Sequence, residues 1–106
     1  MKRFGGNGRK NLRIRWTEAA SKDLDSIEEY ISQDDPAAAI RQILRIIDVV
    51  EETLAVTPTV GRKGRIRNTM EFYITGTPYI VAYRLKEDVL EVLRVMHGAR
   101  RWPKKM

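Results

Sequence analysis

A chain of 106 residues with no cysteine and a single histidine can build one modest hydrophobic core, and it excludes disulfides, thiolate metal sites and a zinc centre made of several imidazoles. The formal charge of +6 argues for an anionic partner. There is no apolar run long enough to span a bilayer and no signal-peptide-like stretch behind the basic N-terminus, so a cytoplasmic protein without a membrane partner is expected.

Residues 1–11 are rich in Gly, Asn, Lys and Arg and nearly free of apolar side chains, which predicts a flexible basic tail ahead of a single domain spanning 12–106. Leu12-Arg13-Ile14-Arg15-Trp16 alternates apolar and basic, the period of a strand with one buried face. Thr17 is placed to cap a helix, with Glu18 favourably near its positive end. Ala20, Leu24, Ile27 and Ile31 recur at helical spacing, so this helix should run from Glu18 to Ser32 with an acidic outer face.

Asp35-Pro36 opens a second helix, Pro being suited to the first helical position. Ile40, Ile43, Leu44, Ile47, Val50 and Leu54 form its expected buried stripe, and the helix should reach about Ala55 and pack antiparallel to the first. Thr57-Pro58 stops it. Thr59 to Thr69, with two glycines and Arg62, Lys63, Arg65 and Arg67, reads as an exposed loop. Three strands follow: Met70–Ile74, Tyr79–Lys86 and Val89–Met96, the last two joined by a turn at Glu87-Asp88. The expected fold class is therefore α+β, in the order β-α-α-β-β-β, with a helical hairpin on one face of a mostly antiparallel sheet.

Charge is segregated along this order. Residues 1–16 hold six basic residues and no acid, whereas residues 17–57 hold ten acids against Lys22, Arg41 and Arg45. This pattern predicts an acidic helical layer backing a basic face that meets nucleic acid or an acidic protein. Arg62, Lys63, Arg65 and Arg67 are candidates for phosphate contact, since guanidinium groups bind phosphate in bidentate fashion. Arg100, Arg101 and Trp102 extend that set; the indole can stack on a base or pack against the sheet edge. Tyr79 and Tyr83, two apart on one strand, share a face and suit the core.

RNA cleavage without a metal or other cofactor needs one group to take a proton, one to give it back, and cations around the phosphorus. His97 is the candidate general base, histidine being the side chain that ordinarily titrates nearest neutrality. Glu71 is the candidate second proton carrier, with Arg84, Arg65 and Arg67 as electrostatic stabilisers. The competing roles are a backbone-bonded histidine and a glutamate in a salt bridge.

The element order, Gly61-Arg62-Lys63-Gly64-Arg65 after Pro58, the run Gly76-Thr77-Pro78-Tyr79-Ile80-Val81-Ala82-Tyr83-Arg84, and the close Arg94-Val95-Met96-His97-Gly98-Ala99-Arg100-Arg101-Trp102-Pro103 resemble the RelE/ParE family of type II toxins, in its branch of plasmid stabilisation proteins. The resemblance implies a toxin neutralised by a cognate acidic antitoxin in a hetero-oligomer, operator DNA being bound only through the antitoxin. It implies two activities: ribosome-dependent mRNA cleavage (an mRNA interferase, the first reading), or non-catalytic poisoning of DNA gyrase, the alternative. A binding module without toxicity is a third. In the nuclease pattern a basic residue follows the tyrosine of the third strand and two lysines lie on the strand before it. Here Ile80, Glu71 and Tyr73 stand at those positions.

Overall fold

The structure, a computed structural model, describes residues 11–104, so the tail expected over residues 1–11 lies almost wholly outside the described residues. Strand β1 (Arg13–Trp16) leads into α1 (Glu18–Ser32). The Thr17 hydroxyl accepts from the Ala20 amide at 3.1 Å and lies 2.9 Å from the Val92 carbonyl, so one side chain caps the helix and ties its start to the sheet. Asp35 caps α2 (Pro36–Asp48) by accepting from the Ala38 amide at 3.1 Å, with Pro36 in the first turn. The helix continues as a wider π turn, Val49–Leu54, in which the Ala55 amide donates to the Val50 carbonyl. Among the described residues no helix is long and apolar enough to cross a membrane.

Four further strands complete the sheet: β2 (Arg62–Lys63), β3 (Met70–Tyr73), β4 (Tyr79–Lys86) and β5 (Val89–His97), in the spatial order β1-β5-β4-β3-β2. Only β1 with β5 is parallel; the other neighbours are antiparallel. The expected α+β architecture is thus present, with one strand more than the sequence pattern suggested. The segment read as a loop over Thr59–Thr69 includes β2, whose Arg62 pairs with Glu71 and Lys63 with Met70. Two charged residues flanked by glycines carry no strand periodicity, so only their position beside β3 reveals them.

Along the upper part of β4, alternation separates two faces. Tyr79, Val81 and Tyr83 join Val50, Leu54, Leu90, Val92 and Val95 in the core beneath the helices, while Ile80, Ala82 and Arg84 point to the open face. In β5 the register slips: Ala82 pairs with Arg94 and Tyr83 with Val92, leaving Leu93 as an extra residue. The slip lets both Val92 and Val95 reach the core.

The apolar stripe on α2 is narrower than expected. Ile46, outside the expected set, is fully buried, whereas Ile40 is 55% exposed and Leu44 54% exposed. At about 100° per residue, Ala39, Ile46 and Val50 share one face and Ile40 and Leu44 lie round its shoulder. The apolar arc of α2 is wider than what packs on it.

The expected burial of Tyr79 and Tyr83 holds. The Tyr83 hydroxyl donates to the Pro58 carbonyl at 2.6 Å and accepts from the Gly61 amide at 3.1 Å, so a core residue anchors the start of the arginine-bearing segment. A β-carbon at Gly61 would lie 2.3 Å from that hydroxyl, so the close approach requires glycine. Tyr83→Phe leaves both backbone groups unpaired and should cost about 1–2 kcal/mol, measured by denaturant unfolding, with faster amide exchange over residues 58–61; unchanged stability and exchange would show that the anchor contributes nothing.

Candidate functional site

The face opposite the helices carries two nearly buried carboxylates, each enclosed by arginine. Glu71 on β3 is 3% exposed; its Oε2 accepts from the Arg65 amide at 2.7 Å and from Arg65 Nε at 3.1 Å. Glu91 on β5 is 6% exposed; it accepts from Arg15 Nη1 on β1 at 2.5 Å and from Arg84 Nε on β4 at 2.6 Å. These arrangements follow from register, since Arg15 and Arg84 both stand opposite Glu91, on its two sides. The Arg84 and Arg15 charges and the Arg84 hydrogen bond hold the Glu91 carboxyl below its ordinary pKa. The hydrogen bond from Glu71 likewise raises Arg65.

Arg65 is also a docking point for the C-terminal segment. Its guanidinium carbon sits 3.7 Å from the centroid of the Trp102 ring, so one face of the guanidinium is covered by indole while its edge is held by Glu71. Arg62 lies over the Tyr73 ring at 4.9 Å. Lys63 and Arg67 are exposed, and no ion pair is formed by either among the described residues. The turn between them is closed by the Gly64 amide donating to the Thr69 carbonyl at 2.8 Å, with Asn68 in the left-handed conformation at φ 65°.

His97 belongs to a different place. It stands opposite Tyr79, a core-facing residue, with the two rings edge to face at 5.9 Å. Its Nδ1 accepts from the Ala99 amide at 3.1 Å, which is the backbone-bonded role weighed above. Together with Asp23, Tyr30, Arg94, Arg100 and Arg101 it lines a cleft of about 460 Å³ between α1 and the end of β5. Arg84 stands five residues further along β4 than Tyr79, the partner of His97, which is roughly 17 Å at normal strand rise.

The candidate residues therefore fall into two groups. Arg62, Lys63, Arg65, Arg67 and Trp102 gather at the β2–β3 edge with Glu71, while Arg100 and Arg101 stand at the α1 cleft with His97. The candidate catalytic set His97, Glu71 and Arg84 is not assembled: His97 is on the helix side of the sheet, and Glu71 and Arg84 are on the open side, each in its own ion pair. The even spacing within each strand sends these residues to opposite faces. Arg15, Glu91, Asp23 and Arg94 were not singled out from sequence. A lone acid inside the apolar run Val89-Leu90-Glu91-Val92-Leu93 is the signal that pointed to Glu91.

What this open face can do chemically is present cations, some pinned and some free, to an anionic surface. It offers no unpaired proton carrier beside them, because both known carboxylates already accept from arginine.

Residues 14–102 match the family described as "ParE toxin of type II toxin-antitoxin system, parDE". Over 91 residues the chain is 48% identical to a putative toxin, Y4kP, of Sinorhizobium fredii, covering 86% of this chain and 93% of that protein. Over 87 residues it is 32% identical to toxin RelE2 of Caulobacter vibrioides, covering 82% and 96%. Among solved structures it resembles the chromosomal ParDE system of P. aeruginosa, with a TM-score of 0.74 at 22% identity over 81% of this chain and 95% of that one. It also resembles the RelBE2 complex of Mycobacterium tuberculosis, with a TM-score of 0.64 at 23% identity over 85% and 94%. At those identities the structural likeness shows a shared fold.

The depressed pKa of Glu91 sets a pH dependence. Stability from the Arg15–Glu91–Arg84 cluster is fully present above the ordinary value of 4.5 and is lost as pH falls through the lower folded value. Glu91→Gln should be less stable than the parent at pH 7, and the two should converge on acidification below that value in denaturant titrations; parallel curves down to the most acidic point would sink this assignment.

Proposed function

Because the chain belongs to the ParE toxin family of type II toxin–antitoxin systems, we propose that it stops growth by binding and poisoning DNA gyrase, without cutting RNA, and that a cognate acidic antitoxin neutralises it. The observation that carries the choice of mechanism is the separation of the only imidazole from Glu71 and Arg84 by the thickness of the sheet. Proton transfer in RNA cleavage requires an acid and a base within hydrogen-bond reach of one phosphodiester. Glu71 is turned into the protein by three hydrogen bonds from Arg65, and His97 rests on Tyr79 and accepts from the Ala99 amide.

The positions where the nuclease pattern carries cations support the same reading. Ile80 is 2% exposed on the open face, and Glu71 and Tyr73 occupy the places of the paired lysines. Substituting a buried carboxylate for a lysine reverses the local charge where a cleavage transition state accumulates negative charge. The remaining cations suit recognition. Exposed Lys63 and Arg67, beside the Arg62–Tyr73 pair, offer a surface for an acidic patch on a protein target or for phosphates held by it.

The neutralising partner is inferred from the family and from charge. The two matched solved systems are, by their titles, a ParDE toxin–antitoxin system and a RelBE2 toxin–antitoxin complex. A chain of net charge +6 is complemented by an acidic polypeptide.

The test is a gyrase supercoiling assay run beside primer extension on mRNA in a cell-free translation reaction. The expected result is blocked supercoiling with intact mRNA, and a His97→Ala variant that retains its potency within about twofold. New breaks within translated codons, abolished by His97→Ala through a loss of about 10²-fold or more, would overturn the proposal in favour of an mRNA interferase.

A further inference from the structure

The cleft between α1 and the end of β5 is separate from the basic β2–β3 edge. Strand β1 stops pairing at Val92, opposite Trp16, while β5 continues to His97, so its last five residues have no strand on that side. The Gly98 amide donates to the Pro78 carbonyl at 2.8 Å, which by the alternation of an antiparallel ladder turns the N–H and C=O of His97 away from β4 and toward this uncovered edge. Asp23 on α1 already uses the edge once, accepting from the Val95 amide at 2.9 Å.

The lining is one-sided in charge. Asp23 is the only acid in the cleft, and it is matched by Arg94, whose Nε and Nη2 donate to its two oxygens at 2.8 and 2.9 Å. Arg100 and Arg101 remain as exposed cations at the rim, and no ion pair is formed by either among the described residues. Between floor and rim lie aromatic walls: Tyr30, 65% exposed, and Tyr79 beneath it.

The segment bearing the two arginines is held at both ends. At one, the Ala99 amide donates to His97 Nδ1 and the Arg100 amide donates to the His97 carbonyl at 3.0 Å; at the other, Trp102 packs on Arg65. The cations are therefore positioned before anything binds, which lowers the ordering cost of binding.

We propose that this cleft docks an extended, acidic segment of the antitoxin, which runs along the uncovered edge of β5, places an apolar side chain between Tyr30 and Tyr79, and offers carboxylates to Arg100 and Arg101. The proposal rests on the antitoxin reading above. A strand edge with backbone groups directed outward recognises a polypeptide main chain, and this is what favours a peptide over a nucleic acid, for which cations and rings alone would serve.

The test uses the full chain purified with the product of the neighbouring reading frame, with affinity measured by calorimetry across a salt series. Arg100→Glu/Arg101→Glu should weaken the complex at least tenfold and flatten its salt dependence, an effect of the size expected when interfacial charges are reversed (about 1.4 kcal/mol or more). Lys22→Glu/Arg41→Glu, the same charge change on the outer surfaces of the helices, should have a much smaller effect. Amide exchange at His97 should slow in the parent complex. Equal losses in both double variants, or no protection of His97, would overturn the cleft while leaving the antitoxin reading intact. Absence of any complex would overturn both. Protection of His97 by duplex DNA and not by the antitoxin would assign the cleft to nucleic acid and overturn the proposal as well.

Discussion

The extra residue at Leu93 in β5 is the constraint on which the rest of the molecule turns. A strand with unbroken two-residue alternation that placed Leu90 and Val92 under the helices would send Val95 and His97 to the open face. By inserting one residue opposite Ala82 and Tyr83, the bulge reverses the parity, so Val95 enters the core and His97 meets Tyr79 on the helix side. It also brings Arg94 within reach of Asp23, which fastens α1 to β5 just where β1 has ended. Packing of the first helix, the placement of the histidine and the free edge of β5 are all consequences of one slipped register.

The open face solves a different problem. A sheet crowded with arginines repels itself unless negative charge is placed inside it, and each buried carboxylate here is stabilised by cations that stay partly in water. Glu91 binds two arginines from two different strands, which cross-links β1, β5 and β4 through side chains as well as through the ladder. Glu71 binds both the backbone and the side chain of Arg65, and through Arg65 it holds Trp102. Removing either acid would leave like charges adjacent on a surface that has nothing else to offset them.

Much of this was legible in the residues. The caps at Thr17 and Asp35, the bounds of α1, and the burial of Tyr79 and Tyr83 follow from local chemistry, because each depends on neighbours within a few positions. The charge segregation gave the two faces their expected signs. What could not be read depends on distant pairing. β2 exists only because β3 lies beside it, Ile40 and Leu44 look like core until the packing angle of α2 is known, and the bulge has no marker in an apolar run such as Val92-Leu93-Arg94-Val95. The separation of His97 from Glu71 and Arg84 was illegible for the same reason: proximity in a sheet is set by register, which one sequence leaves open.

The sheet ends at β2, a strand of two residues, both carrying positive charge. So short and charged a border gives an incoming chain almost no ladder to extend, and two copies brought edge to edge would set cation against cation. The folded protein is thereby guarded along this side against the strand-by-strand stacking that turns exposed sheets into aggregates, even while α2 leaves Ile40 and Leu44 in water. A small basic chain with surplus apolar surface stays dispersed in part because its outermost strand is too brief to recruit another.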